Sequence, residues 1–169
     1  LGVRSLIRSA FTHEKDMTKA LQTVNQHFYE DVGDIGVFTT LWIGSLDLKT
    51  NKLTYSSLGH HPALLKRENA LIELSTKSNA LGPFKELFIE TKNITLEKED
   101  LIFLYTDGVI DRQNTDQEFF GYENIKTFLL SEKNKDTKEL IDSFIGTLDA
   151  FAEPEPLYDD LTLVSIIQK

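Results

Sequence analysis

The feature that most constrains the fold is a short apolar run in the second half of the chain. Residues 101–105 read Leu-Ile-Phe-Leu-Tyr, with no charged residue among them. A run of this kind is typical of a strand that is buried on both faces. Asp107 and Gly108 come soon after it. The sequence therefore predicts a central strand with an acidic residue at its end.

The rest of the pattern divides into helical and extended segments. Apolar residues recur at helical spacing over residues 1–11, 17–28, 122–130 and 137–151, with Asp16 or Thr18 capping the second helix and Pro154 and Pro156 ending the last. Strands are expected at residues 38–46, 53–58, 63–66, 71–74, 87–95 and 161–167. Because strands and helices do not alternate regularly, a doubly wound parallel sheet is disfavoured. The pattern predicts an α+β domain in which helices cover a mainly antiparallel sheet.

Composition excludes several classes of function. The formal net charge is −9, from 18 basic and 27 acidic residues, which argues against nucleic-acid partners and against adhesion to anionic membranes. The acidity either keeps the protein soluble or gathers carboxylates around a cation. The chain has no Cys, so thiolate metal sites and cysteine nucleophiles are excluded. A reducing, cytoplasmic location is expected. No apolar run approaches the roughly 20 residues of a membrane span, so no membrane insertion by this domain is expected.

Acidic residues stand beside two of the expected strands. Asp107 follows the central strand, and Asp159 and Asp160 precede the last one. Adjacent carboxylates repel each other unless a cation or hydrogen-bond donors stabilise them. Oxygen ligands without Cys indicate a hard cation such as Mg²⁺, Mn²⁺ or Ca²⁺. Two plainer interpretations stay open, since Asp-Gly is a common turn and two acids can simply form a polar entry to a strand.

Two adjacent histidines, His60 and His61, stand between Gly59 and Pro62. Neighbouring residues on a strand point to opposite faces, so both side chains cannot easily bind one metal ion. A tight turn in which one histidine is hydrogen-bonded is the favoured interpretation.

Taken in order, these segments resemble the bacterial metal-dependent phosphatases of the stage II sporulation E type. That group includes regulators of sigma-factor partner switching and is related to the eukaryotic protein phosphatase 2C (PP2C) family. The resemblance rests on a hairpin strand, an Ala-Gly-His-Asn-Pro-like stretch, a Leu-Tyr-Thr-Asp-Gly-Val signature, a Glu-x-Phe-Gly turn and a closing Asp-Asp-x-Thr. These stand at residues 38–47, 53–65, 96–109, 118–121 and 159–162.

The resemblance implies an antiparallel β-sandwich flanked by helices. It implies one phosphatase domain over residues 1–169, incomplete at its N-terminus. In the family, carboxylates hold two Mn²⁺ or Mg²⁺ ions, and water activated by them attacks the phosphorus of phosphoserine or phosphothreonine. By position, Asp107 and Asp159 are the expected catalytic residues and metal ligands. Asp160 would orient Asp159 or a metal-bound water.

The chain departs from the family pattern in one important respect. The first metal motif, Gly-Asp-x-x-Gly-x-Gly, would precede residue 1, and its aspartate usually bridges both metals. At most one weakly held ion, and little or no turnover, is therefore expected of this chain alone. Smaller departures are Glu99 in place of Gly before Asp100, His61 in place of Asn, and Asp111-Arg112 where Glu-Ala is frequent.

The predicted function is hydrolysis of phosphoserine or phosphothreonine on a signalling protein, with an upstream sensor domain in the parent protein. In the related systems the substrate is a phosphorylated anti-anti-sigma factor. The alternative is an inactive pseudophosphatase that binds a phosphoprotein or acts as a regulatory module. A haloacid dehalogenase-like hydrolase is disfavoured, because the position of its nucleophilic Asp is occupied by Tyr105.

Overall fold

The computed structural model describes residues 2–133, 136–154 and 159–169, apart from the side chain of Asp34. This part of the chain forms two compact units, each with antiparallel strands and helices. The first unit comprises Leu1–His60 and Ser75–Thr95, and the second comprises His61–Leu74 and Leu96–Lys169. The expected helices and antiparallel strands are thus present.

The elements are given in chain order, with a 3₁₀ turn at Gly33–Ile35 after the second helix. They are α1 (Val3–His13), α2 (Met17–Val32), β1 (Leu41–Asp47), β2 (Lys52–Leu58), β3 (Ala63–Arg67), β4 (Ala70–Leu74), β5 (Lys92–Thr95), β6 (Leu101–Tyr105), α3 (Asp107–Ile110), α4 (Gly121–Ser131), α5 (Thr137–Ala152) and β7 (Leu163–Ile167). In the described ranges, no helix combines the length and apolar character that a bilayer crossing requires.

The first unit consists of α1, α2 and an antiparallel sheet with strand order β1-β2-β5. Helix α2 begins after Asp16, whose side chain accepts a hydrogen bond from the Lys19 N–H at 3.0 Å and satisfies an otherwise unpaired donor. Of the two N-cap candidates, Asp16 is therefore the one used. The apolar face of α2, including Leu21 and Val24, packs with Leu58 in a buried cluster. This cluster is the core of the first unit.

The second unit is arranged around β6. Its sheet has the order β4-β3-β6-β7, so β6 pairs with a strand on each side, and the central strand expected from the apolar run is confirmed. Phe103 on β6 is fully buried, and its ring centroid lies 5.1 Å from that of Phe144 on α5 in an edge-to-face arrangement. Phe120 and Phe128 contact Phe144 in the same way. Such aromatic pairs add to the energy of area burial.

Several expected boundaries were wrong. Within the segment expected as a strand at 87–95, only β5 is a strand. The Glu90 N–H donates to Ser78 Oγ at 2.9 Å and not to a neighbouring strand. The last strand begins at Leu163 rather than residue 161. Thr39 forms an isolated bridge with Leu81 and precedes β1. Leu1 and Pro156, which the sequence placed in and after helices, lie outside the described residues.

A buried ion pair fixes the turn that leads into β6. Asp100 is 2% exposed and accepts two hydrogen bonds from the Arg67 guanidinium, at 2.9 and 2.6 Å. It also accepts the Glu97 N–H at 2.8 Å. A buried carboxylate needs such partners, because desolvation without them is costly. Glu99, the residue immediately before Asp100, has a φ of 71°, a left-handed conformation that favours glycine.

Replacing Glu99 with Gly should therefore raise the free energy of unfolding by about 1 kcal/mol. An L-residue loses roughly 1–2 kcal/mol in the left-handed region, and the greater freedom of glycine in the unfolded chain offsets only part of this gain. Urea denaturation followed by circular dichroism measures the change. Lys98→Gly, at a neighbouring position without positive φ, is the control and should destabilise. Equal losses for both variants would contradict the prediction.

Candidate metal centre

Asp107 is held at the end of the buried strand β6. Thr106 follows the strand as the N-cap residue of α3, and Asp107 is the first residue of that short helix. The side chain is exposed, and its Oδ1 accepts the N–H of Gly108 at 3.1 Å. An exposed carboxylate thus stands just past the end of a buried strand, on the first residue of a short helix.

Asp159 and Asp160 lie a few residues before β7, at the same end of the sheet. Strands β6 and β7 are antiparallel and Tyr105 is paired with Leu163, so the last residue of β6 lies beside the first residue of β7. Asp159 Oδ1 accepts the N–H of Asp160 at 2.7 Å. Both aspartates are exposed. The pairing of the two strands therefore brings both acidic segments to one edge.

Gly108 shows how closely the two acidic segments approach each other. A Cβ added to Gly108 would lie 2.5 Å from the carbonyl oxygen of Asp160 and 3.7 Å from Cβ of Asp159. Real carbon atoms do not come so close to an oxygen, so only glycine fits here without movement of the backbone. The turn carrying Asp107 therefore packs directly on the Asp159–Asp160 backbone.

The chemistry of these side chains fits a hard divalent cation, but the number of ligands is small. Carboxylate oxygens are the ligands that Mg²⁺ and Mn²⁺ prefer. Among residues 2–133, 136–154 and 159–169, no group of three or more His, Asp or Glu side chains is arranged to hold a metal ion. Asp107 and Asp159 can therefore supply part of a coordination shell. Their role as ligands, and the supporting role of Asp160, stay predictions.

The acidic surplus of the chain is concentrated in the second unit, which also contains these three aspartates. This unit has nineteen of the 27 acidic residues but nine of the 18 basic ones. General solubility would not require so uneven a distribution. A negative potential over the second unit would favour the approach of a cation.

The other polar residues that the sequence singled out have structural surroundings. Gly59 has a φ of 67° and is followed by a bend, and the backbone oxygen of His60 accepts the Ser57 hydroxyl at 2.7 Å. The His61 ring stacks on Tyr105, with centroids 6.1 Å apart. Ser56 is fully buried, and its hydroxyl donates to the Glu90 backbone oxygen at 2.8 Å. These contacts fit packing and turn formation.

Sequence reasoning missed two polar contacts in the second unit. One is the ion pair of Arg67 and Asp100, for which the charged residue immediately before an apolar strand was the available signal. The other joins Tyr122, whose hydroxyl donates to Glu73 Oε1 at 2.6 Å. Burial is the main cause that raises the pKa of Tyr122, and it likewise raises the pKa of Tyr105. The raised pKa values keep both phenols protonated well beyond neutral pH.

The family is decided by a match along nearly the whole chain. The model of the family described as Stage II sporulation protein E (SpoIIE) matches residues 1–167. The chain belongs to the SpoIIE family. The resemblance inferred from the motifs is therefore correct.

Two curated relatives of this SpoIIE-family chain are identical at about a quarter of the aligned positions. Protein IcfG from Synechocystis sp. is 25% identical over 148 residues, which cover 87% of the chain and 23% of the relative. Phosphoserine phosphatase RsbU from Bacillus subtilis is 23% identical over 154 residues, covering 90% of the chain and 45% of the relative. The chain thus spans less than half the length of either protein, and its family includes a phosphoserine phosphatase.

Solved structures share the fold. The SiaA-PP2C domain of Pseudomonas aeruginosa matches with a TM-score of 0.82 and 17% identity, covering 99% of the chain and 69% of that structure. The SpoIIE phosphatase domain from Bacillus subtilis, described as presoaked with Mn, matches with a TM-score of 0.67 and 18% identity. That match covers 98% of the chain and 73% of the structure. The fold of the SpoIIE-family chain is PP2C-like, with antiparallel sheets and helices, as the resemblance implied.

Substituting Gly108 with Ala should disturb the acidic edge more than its small size suggests. The added methyl group meets backbone rather than a flexible side chain, so α3 or the Asp159–Asp160 segment must move. We expect a loss of about 1–3 kcal/mol in the free energy of unfolding and weaker Mn²⁺ binding, measured by denaturation and by calorimetric titration.

Gly146→Ala is the matched control, because nothing beyond the neighbouring backbone of α5 lies within 4 Å of the added Cβ on the exposed face of that helix. That variant should be as stable as the original or more stable, since Ala favours helix over Gly. Two equally tolerated substitutions would mean that the close approach at Gly108 is absent in solution.

Proposed function

We propose that this chain is the greater part of a metal-dependent serine/threonine protein phosphatase domain. The observation that carries the proposal is the packing of Gly108 against Asp160, which brings the Asp107 turn and the Asp159–Asp160 segment to one exposed edge. Carboxylates gathered at one edge, next to the ends of two paired strands, are what a divalent-cation centre requires. Membership of a family that includes a phosphoserine phosphatase supports the same activity.

Each aspartate has a distinct role in this proposal. Asp107 and Asp159 would hold Mn²⁺ or Mg²⁺ through their carboxylate oxygens. Asp160 orients Asp159 through the 2.7 Å hydrogen bond from its backbone nitrogen. When bound, a divalent cation lowers the pKa of coordinated water and neutralises negative charge on a phosphoryl group.

In this proposal the other metal ligands lie outside residues 1–169, as the resemblance to the family implies. With two carboxylates the chain holds at most one ion, and weakly, because such cations take about six oxygen ligands and the fewer the protein supplies the weaker the site. We propose that residues 1–169 are one phosphatase domain whose remaining metal ligands precede residue 1. The two-metal centre of the family would then form only in the longer protein.

The proposed substrate is a phosphoserine- or phosphothreonine-containing signalling protein. The name of RsbU supports phosphoserine as the group removed. The resemblance extends this to sigma-factor partner switching, with an anti-anti-sigma factor as the substrate, an upstream sensor domain as the regulator and the cytoplasm as the location. These parts of the proposal rest on similarity to the family rather than on the residues of this chain.

An inactive pseudophosphatase is the second candidate. The observation that favours it is the lack, within the described ranges, of a group of three side chains able to hold a metal. Such a protein would bind a phosphorylated partner at the same edge without hydrolysing it. The two candidates differ in whether phosphate is released.

Phosphate release from a phosphoserine peptide in the presence of Mn²⁺ tests the proposal. The chain of residues 1–169 and the protein extended by its natural upstream sequence are compared. We expect turnover by the longer protein and a loss of at least about 100-fold on Asp107→Asn, because a metal ligand is removed. Asp142→Asn, which changes an exposed acid on α5, is the control and should leave the rate unchanged.

Failure of the longer protein to release phosphate with either Mn²⁺ or Mg²⁺ would reject the phosphatase. Phosphopeptide binding, measured by fluorescence anisotropy, would then test the pseudophosphatase. Equal losses for Asp107→Asn and Asp142→Asn would show that the activity does not depend on the acidic edge.

A further inference from the structure

Thr106 stands at the start of α3, where a threonine side chain ordinarily bonds within its own helix. It is the N-cap residue of α3, and Thr at this position commonly accepts a hydrogen bond from an N–H of the first helical turn. The Thr106 side chain makes no such cap. Its hydroxyl is directed instead to a segment more than 50 residues further along the chain.

Three hydrogen bonds join Thr106 to the segment that contains the second pair of acids. The N–H of Thr106 donates to the carbonyl oxygen of Thr162 at 3.1 Å. The N–H of Thr162 donates to Thr106 Oγ1 at 3.0 Å, and Oγ1 donates to the carbonyl oxygen of Asp160 at 3.4 Å. One hydroxyl therefore acts as acceptor and donor toward the same segment.

This connection continues the pairing of the two strands past the point where their ladder ends. The last pair of the β6–β7 ladder is Tyr105 with Leu163. In a regular ladder the Thr106 carbonyl oxygen would accept the Thr162 N–H, but here it accepts the Val109 N–H at 3.1 Å. An apolar side chain at position 106 would therefore leave the Thr162 N–H without this acceptor. The Thr106 hydroxyl thus supplies the acceptor for the Thr162 N–H that the backbone of β6 does not provide.

We propose that Thr106 is a positioning residue, whose hydroxyl fixes the Asp159–Asp160 segment beside Asp107. The proposal rests on the proposed metal centre and deepens it. Asp107 is attached to Thr106 by a peptide bond, and Asp160 is bound to the same residue through its carbonyl oxygen. The Thr106 hydroxyl therefore ties the residue next to Asp107 to the segment that carries Asp159 and Asp160. Gly108 supports the same arrangement by leaving room for the Asp160 oxygen.

A pair of substitutions separates the hydroxyl from the shape of the side chain. Thr106→Val keeps the branched shape and removes the hydroxyl, whereas Thr106→Ser keeps the hydroxyl and removes a methyl group. Outer residues that orient metal ligands typically change metal affinity by about 10- to 100-fold when mutated. We expect Thr106→Val to weaken Mn²⁺ binding by about 10-fold or more, and Thr106→Ser to retain most of the original affinity.

Mn²⁺ binding to the chain of residues 1–169 is measured by water-proton relaxation. Amide hydrogen exchange at Thr162 is measured in the absence of metal, and Thr106→Val should make it at least several-fold faster. Thr54→Val is the control, because it removes a hydroxyl bonded to Asn93 Oδ1 at 2.6 Å in the first unit. It should change neither the Mn²⁺ affinity nor exchange at Thr162.

The two readouts distinguish failure of the inference from failure of the proposed function. Unchanged Mn²⁺ affinity in Thr106→Val, or equal losses in the valine and serine variants, would overturn the positioning role. If the unsubstituted chain binds no Mn²⁺, the proposed metal centre of this chain is rejected. Amide hydrogen exchange at Thr162 then decides by itself whether the Thr106 hydroxyl holds the Asp159–Asp160 segment. Unchanged exchange in Thr106→Val would then overturn the inference.

Discussion

Strand β6 is the element on which the second unit depends. It pairs with β3 on one side and β7 on the other, and its Phe103 is fully buried against the aromatic cluster of α4 and α5. Because a strand bonded on both edges cannot shift its register without breaking two ladders, the residues at its ends are held in fixed positions. The ion pair of Arg67 and Asp100 secures one end. The other end carries Asp107.

The candidate metal centre depends on the pairing of β6 and on two further contacts. Antiparallel pairing places the end of β6 beside the start of β7, so acids that are about 50 residues apart in sequence become neighbours. Glycine at position 108 permits the close backbone approach, and the hydroxyl of Thr106 extends the pairing beyond the ladder. Precise placement of functional groups by supporting residues is a general requirement of metal and catalytic sites.

The sequence predicted the central elements better than the boundaries. The uninterrupted run at β6 and the helical spacing in α2 and α5 are strong signals, because each reflects burial in a core. The extent of the segment before β5 was wrong, since the hydroxyl of Ser78 takes the Glu90 N–H and no local pattern reveals such a long-range partner. The acids were found by motif, but the hydroxyl of Thr106 was overlooked because its partners lie more than 50 residues away in the sequence. Neither the Arg67–Asp100 pair nor the bond from Tyr122 to Glu73 has a periodic signature.

The uneven division of acidic residues affects more than the approach of a cation. The second unit carries nineteen acidic and nine basic residues, whereas the first is nearly balanced, with eight and nine. Like charges on one small body repel each other, and dissolved ions screen this repulsion over a distance of roughly 10 Å at 0.1 M ionic strength. The folded state of the second unit should therefore gain stability as the ionic strength rises, while that of the first changes little. Salt thus becomes a means of shifting the relative stability of the two units without altering a single residue.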